Sequence, residues 1–147
     1  MKKIFYILLI GSLLSVYACN NRDKEVSIVY PNGEPQKVEH VHYKGNQRIV
    51  DKVIYYYKDG VKESEYEYKN GKKHGKAVYY YPNGQKKTVE HYKNGKLNGR
   101  YIKYYRSGKY SYEASYKDNV PHGTWIYYDE NGNKTSEQHF ENGELID

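Results

Sequence analysis

Glycines 60, 84, 108 and 132 stand 24 residues apart, and Tyr56, Tyr80, Tyr104 and Tyr128 keep the same step. So do Ile54, Val78, Ile102 and Ile126, and the aromatic series Tyr68, Tyr92, Tyr116 and Phe140. A chain that repeats at an interval of roughly 20–50 residues builds an array of like units, because one unit alone cannot bury its own apolar face. A weaker copy comes first: Tyr30-Pro31-Asn32-Gly33 echoes Tyr81-Pro82-Asn83-Gly84, and His42-Tyr43-Lys44-Gly45 echoes His91-Tyr92-Lys93-Asn94 with its glycine one place early. One degenerate unit and four clear ones therefore fill residues 28–147.

Each unit reads as two strands and two turns. Residues 100–105 form a β-branched and aromatic run, Ser107-Gly108 turns it, 109–116 alternates, and 117–123 turns again. Seven of the Asn-Gly or Asp-Gly pairs begin at 32, 59, 70, 83, 94, 131 and 142. Both central positions of a type I′ turn want φ > 0, which these residues tolerate, so all seven are expected to be hairpin turns of that type. No helical periodicity follows residue 19. The expected fold is all-β: an elongated single antiparallel meander sheet built of tandem 24-residue β-hairpin repeats. At about 4.8 Å per strand, each unit advances the sheet by roughly 10 Å.

Strand alternation places Ile54 with Tyr56, Val78 with Tyr80, Ile102 with Tyr104 and Ile126 with Tyr128 on one side of the first strands. The sequence pattern groups Tyr68, Tyr92, Tyr116 and Phe140 with this ladder. Glu63, Glu65, Glu67, Lys87, His91, Lys109 and Glu113 then fall on a wet opposite side. Composition fits a thin core. Past Cys19 the only leucines are Leu97 and Leu145 and the only phenylalanine is Phe140, a poverty that would suggest disorder. Tyrosine reverses it: 21 are present, only Tyr6 and Tyr17 precede Cys19, and each ring can bury roughly 150–250 Å² with its hydroxyl in water.

Lys2 and Lys3 precede an apolar run from 4 to 14, and the small Ala18 precedes Cys19, the sole cysteine. The run is too short for about 30 Å of hydrocarbon, so residues 1–18 read as a secretory signal peptide. Ser15-Val16-Tyr17-Ala18-Cys19 resembles a bacterial lipobox, in which the cysteine is acylated and becomes the new N-terminus; a bystander cysteine after ordinary cleavage is the alternative. The expectation is lipidation at Cys19, a flexible tether over 19–27, and an exported cell-envelope protein held to the membrane by its N-terminal lipid. Asn20 is compatible with an outer-membrane lipoprotein, on the periplasmic or the surface side. A single cysteine excludes an intramolecular disulfide. Losing Lys2 and Lys3 takes the net charge from +6 to +4, spread along the chain without the dense basic run of a nucleic-acid arm, so no nucleic acid is expected as partner.

Gly99-Arg-Tyr-Ile-Lys-Tyr-Tyr-Arg-Ser-Gly108 and Gly123-Thr-Trp-Ile-Tyr-Tyr-Asp-Glu-Asn-Gly132, each linked to a Tyr-Lys-Asn-Gly-Lys type segment, resemble the MORN-repeat variant family over about residues 28–145. The resemblance implies successive antiparallel hairpins in one elongated, twisted sheet. Many bacterial proteins of this kind carry the label of a toxin–antitoxin antitoxin component; others are plain exported proteins. Two departures stand out: Asp118-Asn119-Val120 lacks the usual glycine, and Ala77 stands where Tyr101 and Trp125 carry rings.

No catalytic set can be assembled, and the chain is expected not to be an enzyme and to use no cofactor. His40 and His42, two apart on a strand, point to one side but lack a third ligand, so no metal is expected. His74 and His122, like His91 and His139, lie two units apart, about 20 Å, beyond shared coordination. What remains is surface. Tyr55, Tyr57, Tyr79, Tyr81, Tyr101, Tyr105, Trp125 and Tyr127 fall opposite the Ile/Val–Tyr ladder and form the candidate binding face for a protein or glycan partner. Alternatively these rings pack on each other and cover the sheet themselves. Because its position varies through Val53, Ala77 and Tyr101, Trp125 is expected to be largely exposed. The resulting reading is a non-catalytic, lipid-anchored envelope scaffold that binds protein or glycan, or else an antitoxin or immunity-type protein that neutralises a toxin.

Overall fold

The computed structural model describes residues 23–146. Thirteen strands run in chain order: β1 (Asp23–Val29), β2 (Pro35–Lys44), β3 (Gln47–Tyr56), β4 (Lys62–Lys69), β5 (Lys72–Tyr80), β6 (Lys86–Lys93), β7 (Lys96–Leu97), β8 (Gly99–Tyr104), β9 (Tyr110–Lys117), β10 (Val120–Pro121), β11 (Gly123–Tyr128), β12 (Lys134–Glu141) and β13 (Glu144–Leu145). All pairings are antiparallel and nearly every strand neighbours the next in sequence, so the sheet is an open meander, with no helix among the described residues. The expected all-β hairpin array is therefore the fold. The stretch expected to be tether is strand from Asp23 onward, paired to β2 through Lys24↔His40, Glu25↔Glu39 and Val26↔Val38.

Two kinds of turn alternate along the chain. At Asn70-Gly71, Asn94-Gly95 and Asn142-Gly143 both central residues have positive φ, as does Asp118-Asn119, where Asn119 at φ 73° stands in for the missing glycine. These are the expected two-residue turns. The other set differs from expectation. Around Asn32-Gly33, Asp59-Gly60, Asn83-Gly84 and Asn131-Gly132 only the glycine has positive φ. Tyr57 N–H donates to Val61 O at 2.8 Å and Gly60 N–H to Tyr57 O at 3.0 Å, closing a three-residue loop with a left-handed glycine at its end. A register shift accompanies each clear loop, between Tyr55 and Tyr56, Tyr79 and Tyr80, Lys103 and Tyr104, and Tyr127 and Tyr128.

Loop and register shift together set which residues share a face. Ile54 pairs with Glu65, Glu65 with Val78, Val78 with Val89, Val89 with Ile102, Ile102 with Glu113, and Glu113 with Ile126. The Ile/Val ladder thus shares its face with the carboxylate series and not with Tyr68, Tyr92, Tyr116 and Phe140. Those rings lie on the other face, where Tyr92 opposes Gly75, Tyr116 opposes Gly99 and Phe140 opposes Gly123. The expected grouping was off by one residue of register, which in a strand exchanges the faces entirely.

Neither face is wet at its centre. Val78, Val89 and Ile102 form a buried cluster on the aliphatic face under Tyr80 and Tyr104. On the aromatic face Val53, Ala77 and Ala114 are buried as well, with Ser64 and Thr88. Ala77 pairs with Tyr66, whose ring meets Tyr79 edge-on at 5.5 Å. A small residue there is a seat for rings from neighbouring strands.

The sheet is laced along both margins. At the three-residue loops, Tyr30 donates its hydroxyl to Tyr56 O, Tyr57 to Tyr80 O, Tyr81 to Tyr104 O and Tyr105 to Tyr128 O, at 2.8, 3.1, 2.8 and 2.8 Å. Each loop therefore grips the strand end of the following unit. The next position in this series is Asp129, which accepts from Asn133 N–H at 2.8 Å and closes its own turn. At the two-residue turns, Gly95 N–H donates to Lys73 O, Asn119 to Leu97 O and Gly143 to Pro121 O.

Candidate functional site

The aromatic face carries the candidate site. Of the eight residues expected there, Tyr55, Tyr79, Tyr101, Trp125 and Tyr127 lie on it. Tyr57, Tyr81 and Tyr105 do not belong to the patch, because the three-residue loop lifts them off the strand and commits their hydroxyls to the lacing. All eight are half-buried. The face also holds rings that the sequence pattern had grouped elsewhere: Tyr116 contacts Trp125 at 5.3 Å and Phe140 contacts it at 4.6 Å. Tyr112 joins them, stacked on Tyr101 at 5.5 Å and 5.7 Å from Tyr127. The readable signal was the glycine opposite each of Tyr92, Tyr116 and Phe140, since an aromatic ring covers the bare backbone of a glycine across the strand.

Trp125 is the hub. Its indole N–H donates to Ser115 O at 3.2 Å and its ring is surrounded by Tyr112, Tyr116 and Phe140. The expectation of a largely exposed tryptophan is corrected: ring packing holds it. Burial, then the neighbouring Tyr101 hydroxyl, pushes the Tyr112 phenol above its ordinary range, and burial followed by the Glu90 charge does the same to Tyr79. These phenols stay protonated at physiological pH and offer a donor at the tip of an apolar ring.

Toward the N-terminal end the same face changes character. Tyr66 still contacts Tyr55 at 6.1 Å, but Lys73 sits over the Tyr66 ring at 4.0 Å and the Tyr92 ring at 5.0 Å. Lys73 and Tyr55, Ser64, Tyr66 and Tyr68 line an open hollow of about 390 Å³. Further along, Glu25 is only 4% exposed and accepts from Arg48 at 2.6 Å and Tyr43 at 2.9 Å. Arg48 also binds Glu39, which binds Lys37 at 2.7 Å. Burial pushes the Glu39 carboxyl up, but hydrogen bonds from Lys37 and Arg48 outweigh it and hold the group below its usual range.

On the aliphatic face Glu65 takes a hydrogen bond from Tyr80 at 2.6 Å and pairs with Lys52 at 2.9 Å and Lys62 at 3.2 Å. Against the effect of burial, these partners hold its pKa at about 2. In the following unit Val89 occupies this place, and Glu113 returns in the next, accepting from Tyr128 at 3.1 Å. His42 Nδ1 lies 2.7 Å from Asp51 Oδ2, a local pair. Among the described residues no three His, Cys, Asp or Glu side chains are gathered to hold a metal ion. Cys19 lies outside the described residues.

The family model described as MORN repeat matches residues 67–86, and the one described as MORN repeat variant matches residues 97–118 and 121–142. The two variant matches each span one strand pair, β8 with β9 and β11 with β12, and the other match runs from the end of β4 through β5 to the start of β6. No curated protein matches the chain. Fold and repeat together define the class, a tandem β-hairpin repeat protein. Within it the chain belongs to the MORN-repeat family, whose repeats are typically binding or scaffold modules and generally non-enzymatic.

Proposed function

We propose that this protein is a non-catalytic scaffold of the cell envelope, anchored through an acylated Cys19, that engages a protein partner with the C-terminal part of its aromatic face. The observation that carries the reading is the continuous group of Tyr101, Tyr112, Tyr116, Trp125, Tyr127 and Phe140 on one open sheet face, every ring half-buried. Tyrosine and tryptophan give large contact area at low entropic cost, and such residues dominate binding hot spots.

Crosslinking in intact cells tests it. Tyr127→Lys places a charge in the aromatic patch, whereas Tyr110→Lys places one on the opposite face, where Tyr110 is 40% exposed. The expected result is a defined crosslinked partner lost with Tyr127→Lys and kept with Tyr110→Lys. Equal crosslinking of both variants overturns the assigned face, and a toxin as the captured partner would identify an immunity role. For the anchor, Cys19→Ser should shift the protein from the membrane fraction to the soluble one; unchanged fractionation removes the lipid from the reading.

A further inference from the structure

Each two-residue turn is bracketed by two residues that face each other across the hairpin. The register makes these Lys69↔Lys72 and, one unit on, Lys93↔Lys96; Lys117 faces Val120 in the next, and Glu141 faces Glu144 in the last, so the basic stretch is confined to the first three of these turns. Like charges directly opposite each other repel, so folding stability alone gives no reason for two such pairs in succession. All five lysines are exposed. Elsewhere on the sheet cations find carboxylates: Lys37 with Glu39, Lys52 with Glu65, Arg100 with Glu113 and Lys134 with Glu137. At this margin none of the five lysines has an ion-pair partner among the described residues. Two carboxylates close in sequence are engaged otherwise, Glu67 with the Lys76 N–H at 2.8 Å and Asp118 with the Asn98 amide at 3.4 Å.

The spacing is rigid as well as periodic. Gly95 N–H binds Lys73 O at 2.8 Å and Asn119 N–H binds Leu97 O at 2.9 Å, so successive turns are bonded to one another. Equivalent lysine pairs lie two strands apart, about 10 Å. A nucleic-acid strand carries a charge about every 3.4 Å and would leave most of its phosphates unmatched. A fluid lipid surface has no fixed spacing to match. A linear polysaccharide of alternating uronate and neutral sugar carries one carboxylate per disaccharide, a length comparable with two strands.

We propose that this lysine margin binds a linear polysaccharide bearing one carboxylate per disaccharide, laid along the two-residue turns so that successive carboxylates meet successive lysine pairs. The site is separate from the aromatic patch and does not depend on it: strand alternation puts these lysines on the aliphatic face, one residue from Tyr68 and Tyr92.

Hyaluronan oligosaccharides, titrated calorimetrically into the purified protein at a fixed salt near 0.15 M, test the proposal. Lys69→Gln, Lys72→Gln, Lys93→Gln and Lys96→Gln combined should weaken binding at least tenfold while leaving the melting temperature unchanged or raised. A control with the same loss of charge at the opposite margin, combining Lys58→Gln, Lys86→Gln, Lys87→Gln and Arg106→Gln, should stay within twofold of the native protein. Equal weakening in both variants would reduce the effect to net charge and overturn the site. Absence of hyaluronan binding by the native protein overturns it outright, and tighter binding of duplex DNA at the same salt overturns the choice of ligand.

Discussion

At one end of the aromatic face a carboxylate, Glu25, lies buried against Arg48 and Tyr43; at the other end Trp125 lies among Tyr112, Tyr116 and Phe140. Both ends solve the same problem, which is to cover one side of a sheet that has no second layer against it among the described residues. The ionic solution is specific and brittle, because removing one partner strands a desolvated charge. The aromatic solution spreads its energy over many ring contacts, none indispensable by charge, and leaves ring edges and hydroxyls facing solvent. Only the second can double as a surface for a partner without losing its own cohesion.

The contrast can be broken most severely at Arg48. Arg48→Met should cost about 3–4 kcal/mol, since Glu25 is left buried without its cation. Adding Glu25→Leu should restore much of that loss, because two apolar groups leave nothing unpaired. Chemical denaturation of the single and double variants gives the values, and an equal loss in both would show that packing, not charge, dominates there.

Trp125→Ala should come next, at about 3 kcal/mol, toward the lower end for a large aromatic because the ring is only half-buried. Thermal melts decide it. A loss below about 1 kcal/mol, the level of an ordinary surface change, would return Trp125 to the exposed role that its variable position suggested.

Acid separates the two ends without mutation. Glu39 and Glu65, both in the N-terminal half, titrate below their usual range, Glu65 at about 2. A carboxylate whose folded pKa lies below its unfolded value of about 4.3 stabilises fully above that value, and the contribution is lost as pH falls through the folded pKa. With Glu65 only 14% exposed, its share is about 2 kcal/mol, lost between about pH 4.3 and pH 2. Asp129 also titrates low, but in a turn outside the strands. Amide exchange near pH 3 should therefore quicken in β2–β5 before β9–β12. Uniform quickening would deny the division.

The smallest effect lies at the lysine margin. Lys96→Glu turns the repulsion with Lys93 into attraction and should stabilise by about 0.5 kcal/mol, fading as salt is raised. A salt-independent change would mean that charge is not the cause.

The repeat made the hairpin array legible from glycine and tyrosine spacing alone, and the turn pairs at 70, 94 and 142 were legible from their φ requirement. What stayed hidden was the register. Tyr57-Lys58-Asp59-Gly60 reads like a two-residue turn but closes as a three-residue loop; alone that loop would set Ile54 opposite Ser64, and the register shift between Tyr55 and Tyr56 brings it opposite Glu65. A pattern of period two cannot reveal its own phase, so the aromatic series at 68, 92, 116 and 140 was placed on the wrong face. Half of the candidate site followed it. Tyr101, Trp125 and Tyr127 were found by alternation, Tyr112 and Tyr116 were missed, and Tyr57, Tyr81 and Tyr105 were taken for patch residues because the loop that removes them from the strand is invisible in composition. Ala77 misled for a related reason: a small side chain reads as tolerance when its environment is unknown, yet here it is 1% exposed beneath neighbouring rings.

The forward reach of Tyr57, Tyr81 and Tyr105 to the unit ahead has a mechanical consequence. Tension applied between the two ends of the sheet meets each clear unit joined to the next by the same fastenings: a phenol bond at one margin, a turn-to-turn amide bond at the other, and the strand ladder between. Rupture then proceeds by unzipping, one repeat at a time and at similar force. Each event releases a 24-residue length of chain, roughly 80 Å when fully extended. The protein behaves under load as a stepped extensible tether, lengthening in equal increments where a globular domain of the same size would give way all at once.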